Sequence, residues 1–126
     1  MPCMYDRTMV LDILEQIVDA TATIKKRCST VDCISGFLDT EEGQEKLDGI
    51  CMKLIAIGES LKNIDKITGG KLFLQYPQVE WRKIKGIRDF ISHHYFDLDA
   101  EVIFGICKNH IDTLLQTLKI IQSDLT

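Results

Sequence analysis

The densest cluster of reactive side chains in this chain runs from Ile87 to Asp99, IRDFISHHYFDLD. It holds Arg88, Asp89, Ser92, His93, His94 and Tyr95, and with them two of the three histidines of the protein. Arg and His together suit phosphodiester chemistry. Arg presents a planar fork of donors to phosphate oxygens and keeps its charge. His titrates near neutral pH and moves a proton. On an RNA strand the 2′-hydroxyl attacks its own phosphate, so in principle such a pair needs no metal. Just upstream, Trp81 to Arg88 reads WRKIKGIR, with Arg82, Lys83, Lys85 and Arg88 and no acid. The net charge of −4 argues against a protein that coats nucleic acid through bulk charge, whereas a local cationic strip suggests a confined anion site. The competing reading of the strip is a solvated helix face.

Helix geometry constrains how these groups work together. At about 100° per residue, Arg88 and Tyr95 fall in one narrow arc, and Asp89 and His93, four apart, also face together. Arg88 and His93 are five apart, about 140° around an ideal helix, and do not converge on one phosphate there. Either the helix ends or distorts near Ser92, close to the break at Phe96-Asp97-Leu98-Asp99, or a symmetric dimer brings two copies of the cluster together. Without catalysis, Arg88 covers the flank of the Ile84/Ile87/Ile91 face and Tyr95 is a core tyrosine with its hydroxyl satisfied. His93 and His94 are then helix-end residues facing terminal carbonyls.

Other constellations are weaker. Cys28-x4-Cys33 has no second pair, Cys51 and Cys107 read as buried small hydrophobes, and no zinc site is expected. His110 flanks an apolar stripe and reads as packed or surface. Gly69-Gly70-Lys71 lacks the strand and the full pattern of a phosphate loop. Asp97 and Asp99 read as helix caps. Five cysteines without framework spacing, and an opening MPCMYDRTMV without a basic segment and apolar core, predict reduced thiols, no signal peptide and a cytoplasmic protein. No apolar run reaches membrane-span length, so no membrane association is expected.

The elements that must position the cluster are helices. With 126 residues, 45% hydrophobic and 27% charged, the chain fits one soluble domain, residues 1–126, able to bury its own core. Val10, Ile13, Ile17, Ala20 and Ile24 share one face of a first helix from Tyr5 to Arg27. Ser29 or Thr30 caps a short helix over Val31 to Phe37. A second long helix follows Asp39 or Thr40, with Glu41 and Glu42 favoured in its first turn. Its stripe is Leu47, Ile50, Leu54, Ile57, Leu61 and Ile64. Gly58 inside that stripe points to a close helix contact, and Thr68-Gly69-Gly70 ends it. After a loop from Lys66 to Gln78, a third helix carries Trp81, Ile84, Ile87 and Ile91. A last one runs from Ala100 to Ile121 on Phe104, Cys107, Ile111, Leu114, Leu118 and Ile121. The expected fold is all-α, an up-and-down bundle of four long helices plus a short one.

The spacing Arg88-x4-His93-x-Tyr95 resembles the R-x4-H-x-Y motif of HepT-like toxins in the HEPN superfamily. Ile57-Gly58-Glu59-Ser60 resembles that family's I-G-E-A segment. Pro77…Trp81…Ile84…Gly86…Arg88 is similar to the stretch leading into its motif, and Leu98-Asp99 to the I-D that opens its last helix. The resemblance implies a HEPN-like helix-bundle homodimer whose two motifs line one cleft. It implies a metal-independent endoribonuclease toxin, without cofactor, paired with a nucleotidyltransferase antitoxin of the MNT type that transfers AMP to the motif tyrosine, here Tyr95. Arg88 and His93 would be catalytic, with phosphate contacts from Lys83 and Lys85 placing the RNA. The chain departs from the family where Asn often follows the motif Arg: here Asp89 stands. An acid there either orients His93 or repels the RNA phosphate. The alternative function is a docking partner and AMP acceptor for a nucleotidyltransferase, without cleavage.

Overall fold

Caps and stripes fix the helices of the computed structural model, which describes residues 5–93 and 99–126. Helix α1, Arg7–Cys28, opens on Asp6, whose carboxylate accepts from the Met9 N–H at 3.2 Å. Its buried stripe is Val10, Leu14, Ile17, Thr21, Ile24 and Cys28. Leu14 and Thr21 take the central places expected of Ile13 and Ala20, which pack on the flank. The buried Thr21 hydroxyl is satisfied by donating to the Ile17 carbonyl at 2.7 Å. The short helix α2 is Ser35–Leu38, later than expected. Ser29 and Thr30 do not cap it, because their hydroxyls donate back to the Lys26 and Arg27 carbonyls and close α1.

Helix α3, Glu41–Thr68, starts on Thr40, whose hydroxyl accepts from the Gly43 N–H. Glu41 and Glu42 occupy its first turn. The predicted stripe is buried along its full length. Gly69, with φ of 70°, supplies the left-handed residue that ends it, and the Gly70 N–H donates to the Asp65 carbonyl at 2.8 Å. A 3-10 turn at Phe73–Gln75 follows. Phe73 stacks on Trp81 with centroids 4.2 Å apart, and the Trp81 indole N–H donates to the Tyr76 carbonyl at 2.8 Å. These contacts fix where α4, Trp81–His93, begins.

The expected last helix is two: α5, Ala100–Asn109, and α6, Ile111–Leu125. His110 between them has φ −123° and ψ −28°. Ala100, Ile103 and Ile106 are the buried residues of α5, and Ile111, Leu114, Leu115, Thr117, Leu118 and Ile121 those of α6. Phe104 and Cys107, which would have continued a straight stripe, lie on the flank. Cys107 is bonded to Cys28, with Cα atoms 6.1 Å apart. This disulfide corrects the expectation of reduced thiols: the end of α1 and the side of α5 pack together, and the two cysteines meet there. Of the other described cysteines, Cys33 is an exposed free thiol and Cys51 a buried one.

The long helices alternate in direction. Arg27 of α1 lies by Gly49 of α3, and Ile17 and Ala20 by Ala56, Ile57 and Ser60. Glu59 and Asp65 of α3 pair with Arg88 and Lys85 of α4. Lys25 of α1 pairs with Asp112 of α6 at 2.9 Å. Each pairing runs antiparallel. Helix α3 packs on both α1 and α4, α1 also packs on α6, and α5 lies against both α1 and α3. The structure is thus the expected all-α bundle with its last rod bent, around one continuous apolar core. Among the described residues there is no strand, and no helix is long and apolar enough to cross a membrane.

Candidate functional site

Helix α4 carries the reactive cluster, and α3 holds it in place. Gly58 of α3 sits against α4 so closely that a Cβ added there would lie 3.2 Å from the Arg88 Cβ and 3.4 Å from the Lys85 carbonyl oxygen. That is the close helix contact expected at Gly58. The next residue, Glu59, accepts from the Arg88 Nε at 2.8 Å. The Asp89 carboxylate accepts from the Arg88 Nη1 at 3.0 Å. A guanidinium has five N–H donors, so three remain for another ligand. Lys62 of α3 lies 3.8 Å from the other oxygen of Asp89. The formal charges of Glu59, Lys62, Arg88 and Asp89 therefore sum to zero. The hydrogen bond from Arg88, helped by the Lys62 charge, holds the Asp89 carboxyl below the usual range.

His93 is the last residue of α4. Its Nδ1 lies 2.8 Å from the main-chain carbonyl oxygen of Asp89. A carbonyl only accepts, so Nδ1 carries the proton and a neutral ring presents Nε2 as a free base. The expected i,i+4 partnership of Asp89 with His93 thus exists, but through the backbone; the carboxylate accepts its hydrogen bond from Arg88 and lies in ion-pair reach of Lys62 on α3. The helix is regular through Ser92 to His93, so it does not distort there, and Arg88 and His93 keep their separation of about 140° around the axis.

The two lysines differ. Lys85 is bonded to Asp65 and lies 5.6 Å from the centroid of the Phe73 ring, three-quarters buried. Its ammonium is held in the α3/α4 contact. Lys83 is exposed and only loosely paired with Glu80, at 3.8 Å. It rims a cleft whose other walls include Gly105, Asn109 and His110. Tyr95 and His94 lie outside the described residues. Asp99 caps α5 as expected, accepting from the Glu101 N–H at 2.9 Å. Among the described residues no three His, Cys, Asp or Glu side chains are grouped to hold a metal ion.

The model of one protein family, Ribonuclease HepT-like, matches residues 17–121, which take in the second half of α1, the whole of α2, α3, α4 and α5, and most of α6. The chain belongs to the HepT-like ribonuclease family. Two relatives agree. A candidate RNase of Methanocaldococcus jannaschii is 30% identical over 128 aligned residues, covering 99% of this chain and 93% of that protein. A Thermococcus cleftensis protein named "Probable ribonuclease HepT" is 29% identical over 103 residues, covering 82% of this chain and 86% of that protein. No solved structure matches the chain significantly. For this HepT-like chain, spacing did not reveal that Gly58 and Glu59 seat the motif arginine. The signals were Gly58 inside the α3 stripe, which pointed to a close helix contact, and the Ile57-Gly58-Glu59-Ser60 segment that resembles one of the family's.

Proposed function

We propose that this HepT-like protein is a metal-independent endoribonuclease toxin acting as a homodimer. In this reading Nε2 of His93 takes the proton from an RNA 2′-hydroxyl. The 2′-oxygen attacks the adjacent phosphorus, the bond from phosphorus to the 5′-oxygen breaks, and that oxygen leaves with a proton. The products are a 2′,3′-cyclic phosphate and a free 5′-hydroxyl. The three spare N–H donors of Arg88 face the phosphate oxygens as charge builds on them. The observation that carries the proposal is the His93 Nδ1 contact to the Asp89 carbonyl, which fixes the tautomer a general base needs. The regular end of α4 supports the dimer: with about 140° between Arg88 and His93 on one helix, a complete pair is most simply built from two copies facing one cleft.

Regulation follows the family resemblance. An MNT-type nucleotidyltransferase antitoxin would transfer AMP to Tyr95, placing a phosphate and a bulky nucleoside beside the cation meant for RNA. The alternative, a docking partner and AMP acceptor that does not cleave, is favoured by one observation: Arg88 is already bonded to two carboxylates, Glu59 and Asp89. Cleavage of RNA in EDTA by the wild-type, Arg88→Ala and His93→Ala proteins separates the two. Loss of about 10²–10⁴-fold in His93→Ala is expected for a positioned general base. Undiminished cleavage in both variants assigns the activity elsewhere. Incubation with the nucleotidyltransferase and ATP, followed by peptide mapping, tests Tyr95; the Tyr95→Phe protein should gain no AMP and stay toxic.

A further inference from the structure

Beyond the Arg88 and His93 pair, one face of α4 has the makings of a nucleic-acid track. Arg82, Gly86, Asp89 and His93 follow one another at steps of four, three and four. On a helix that is regular from Trp81 to His93 they fall within an arc of about 60°. All four are exposed. Asp89 has its charge answered by Arg88 and Lys62. Arg82 is the one cation of α4 with no carboxylate in ion-pair reach among the described residues. Between Arg82 and His93 stands Gly86, where an added Cβ would meet nothing within 4 Å. A glycine in an exposed helix interior costs about 1 kcal/mol relative to alanine, and here no neighbour among the described residues requires it.

We infer that Arg82 and Gly86 carry the RNA strand along α4, away from the phosphate that His93 and Arg88 cut. This rests on the nuclease reading above. Arg82 binds a phosphate of the flanking strand, and Gly86 leaves the gap in the side-chain wall through which that strand lies against the helix. Arg82 stands eleven residues from His93, about 16 Å along the axis, so the strand runs over several nucleotides. Charge selects the occupant. Arg82 has no carboxylate in ion-pair reach among the described residues, so a polyanion supplies the charge it lacks, and in the homodimer proposed above this face of α4 lines the shared cleft in which the strand would lie. The track lies on a chain of net charge −4, so it guides the strand locally and does not coat it.

Anisotropy of a labelled single-stranded RNA, titrated with protein carrying His93→Ala so that nothing is cut, reads binding by itself. Adding Arg82→Ala should weaken binding about tenfold at low salt. It should also lower the slope of log affinity against log salt by about 0.7, the value for one phosphate of a single strand. Lys119→Ala on α6, an exposed cation away from this face, should change neither. In the cleaving protein Arg82→Ala should raise KM and leave kcat. Gly86→Leu should raise KM in a protein that stays folded and keeps its oligomeric state, with Gly86→Ala as the milder version. An unchanged affinity and salt slope in Arg82→Ala overturns the track. Dissociation of Gly86→Leu into monomers overturns it too, because a second copy then occupies that gap. A wild-type protein that neither cuts nor binds RNA sinks the nuclease reading, whereas one that cuts with KM unmoved by Arg82→Ala sinks only the track.

Discussion

Two glycines in helix interiors, Gly58 and Gly86, offer a matched test of how the arginine is seated. At Gly86 an added methyl meets open space, so Gly86→Ala should gain the full helix-propensity difference, about 0.8–1 kcal/mol of stability. Gly58→Ala gains the same term, but its methyl would lie 3.2 Å from the Arg88 Cβ, 3.4 Å from the Lys85 carbonyl and 3.6 Å from the Ile84 carbonyl. Carbon atoms prefer about 3.5–4.0 Å, so α3 and α4 must part by a few tenths of an ångström. Overpacking of this kind costs roughly 1–3 kcal/mol. The net for Gly58→Ala is therefore between about zero and 2 kcal/mol of destabilisation, roughly 1–3 kcal/mol below Gly86→Ala. Urea denaturation measures both, with an unchanged m-value showing that only stability has moved. The atom displaced belongs to Arg88, so RNA cleavage should also fall in Gly58→Ala. If Gly58→Ala is as stabilising as Gly86→Ala, the close contact does not exist and the seating of Arg88 by α3 is wrong.

Other consequences are equally open to measurement. Glu59→Gln should reduce cleavage by freeing the guanidinium, while stability changes by less than about 1 kcal/mol because the ion pair is part-exposed. The Cys28–Cys107 bridge closes 79 residues, worth about 4.5 kcal/mol on the chain-entropy relation; Cys107→Ser should lose much of that, and alkylation of unreduced, unfolded protein should leave two of the five cysteines unlabelled. Tyr76, buried and donating to Asp124 at 2.6 Å, has its hydroxyl pushed up to about 12, chiefly by burial and then by Asp124. A raised value stabilises the fold below pH 10 and is lost as pH climbs from 10 through 12. Wild-type stability should therefore drop across that window by more than that of Tyr76→Phe, and parallel curves would show that Tyr76 does not report the fold.

What the sequence made legible follows from which forces are local. The stripe of α3 from Leu47 to Ile64, its start at Thr40 and its end at Gly69 depend on spacing and capping within one helix, and all were readable. The bend at His110 was not, because the apolar spacing through Phe104 and Cys107 fits one straight helix equally well, and the break depends on packing against the rest of the bundle. The Cys28–Cys107 pairing is hidden for the same reason, since it depends on where α5 lands. At the site, residue types and spacing picked out Arg88 and His93. They could not show that Lys85 spends its charge on Asp65, that Arg82 has no ion-pair partner among the described residues, or that His93 leans on a carbonyl and not on the Asp89 carboxylate. Those are properties of rotamers and of the neighbouring helix.

The central claim is that a working site joins Arg88 of one subunit to His93 of the other. Mixing Arg88→Ala with His93→Ala protein, under conditions in which subunits exchange, tests it most directly. With equal mixing, half of the dimers are mixed, and each contains one site with both residues intact and one with neither. Native mass measurement confirms the mixed dimers, and RNA cleavage is followed in EDTA. The account predicts recovery to about a quarter of wild-type activity from two proteins that are each inactive. Mixed dimers that form and cut no better than either parent would contradict it.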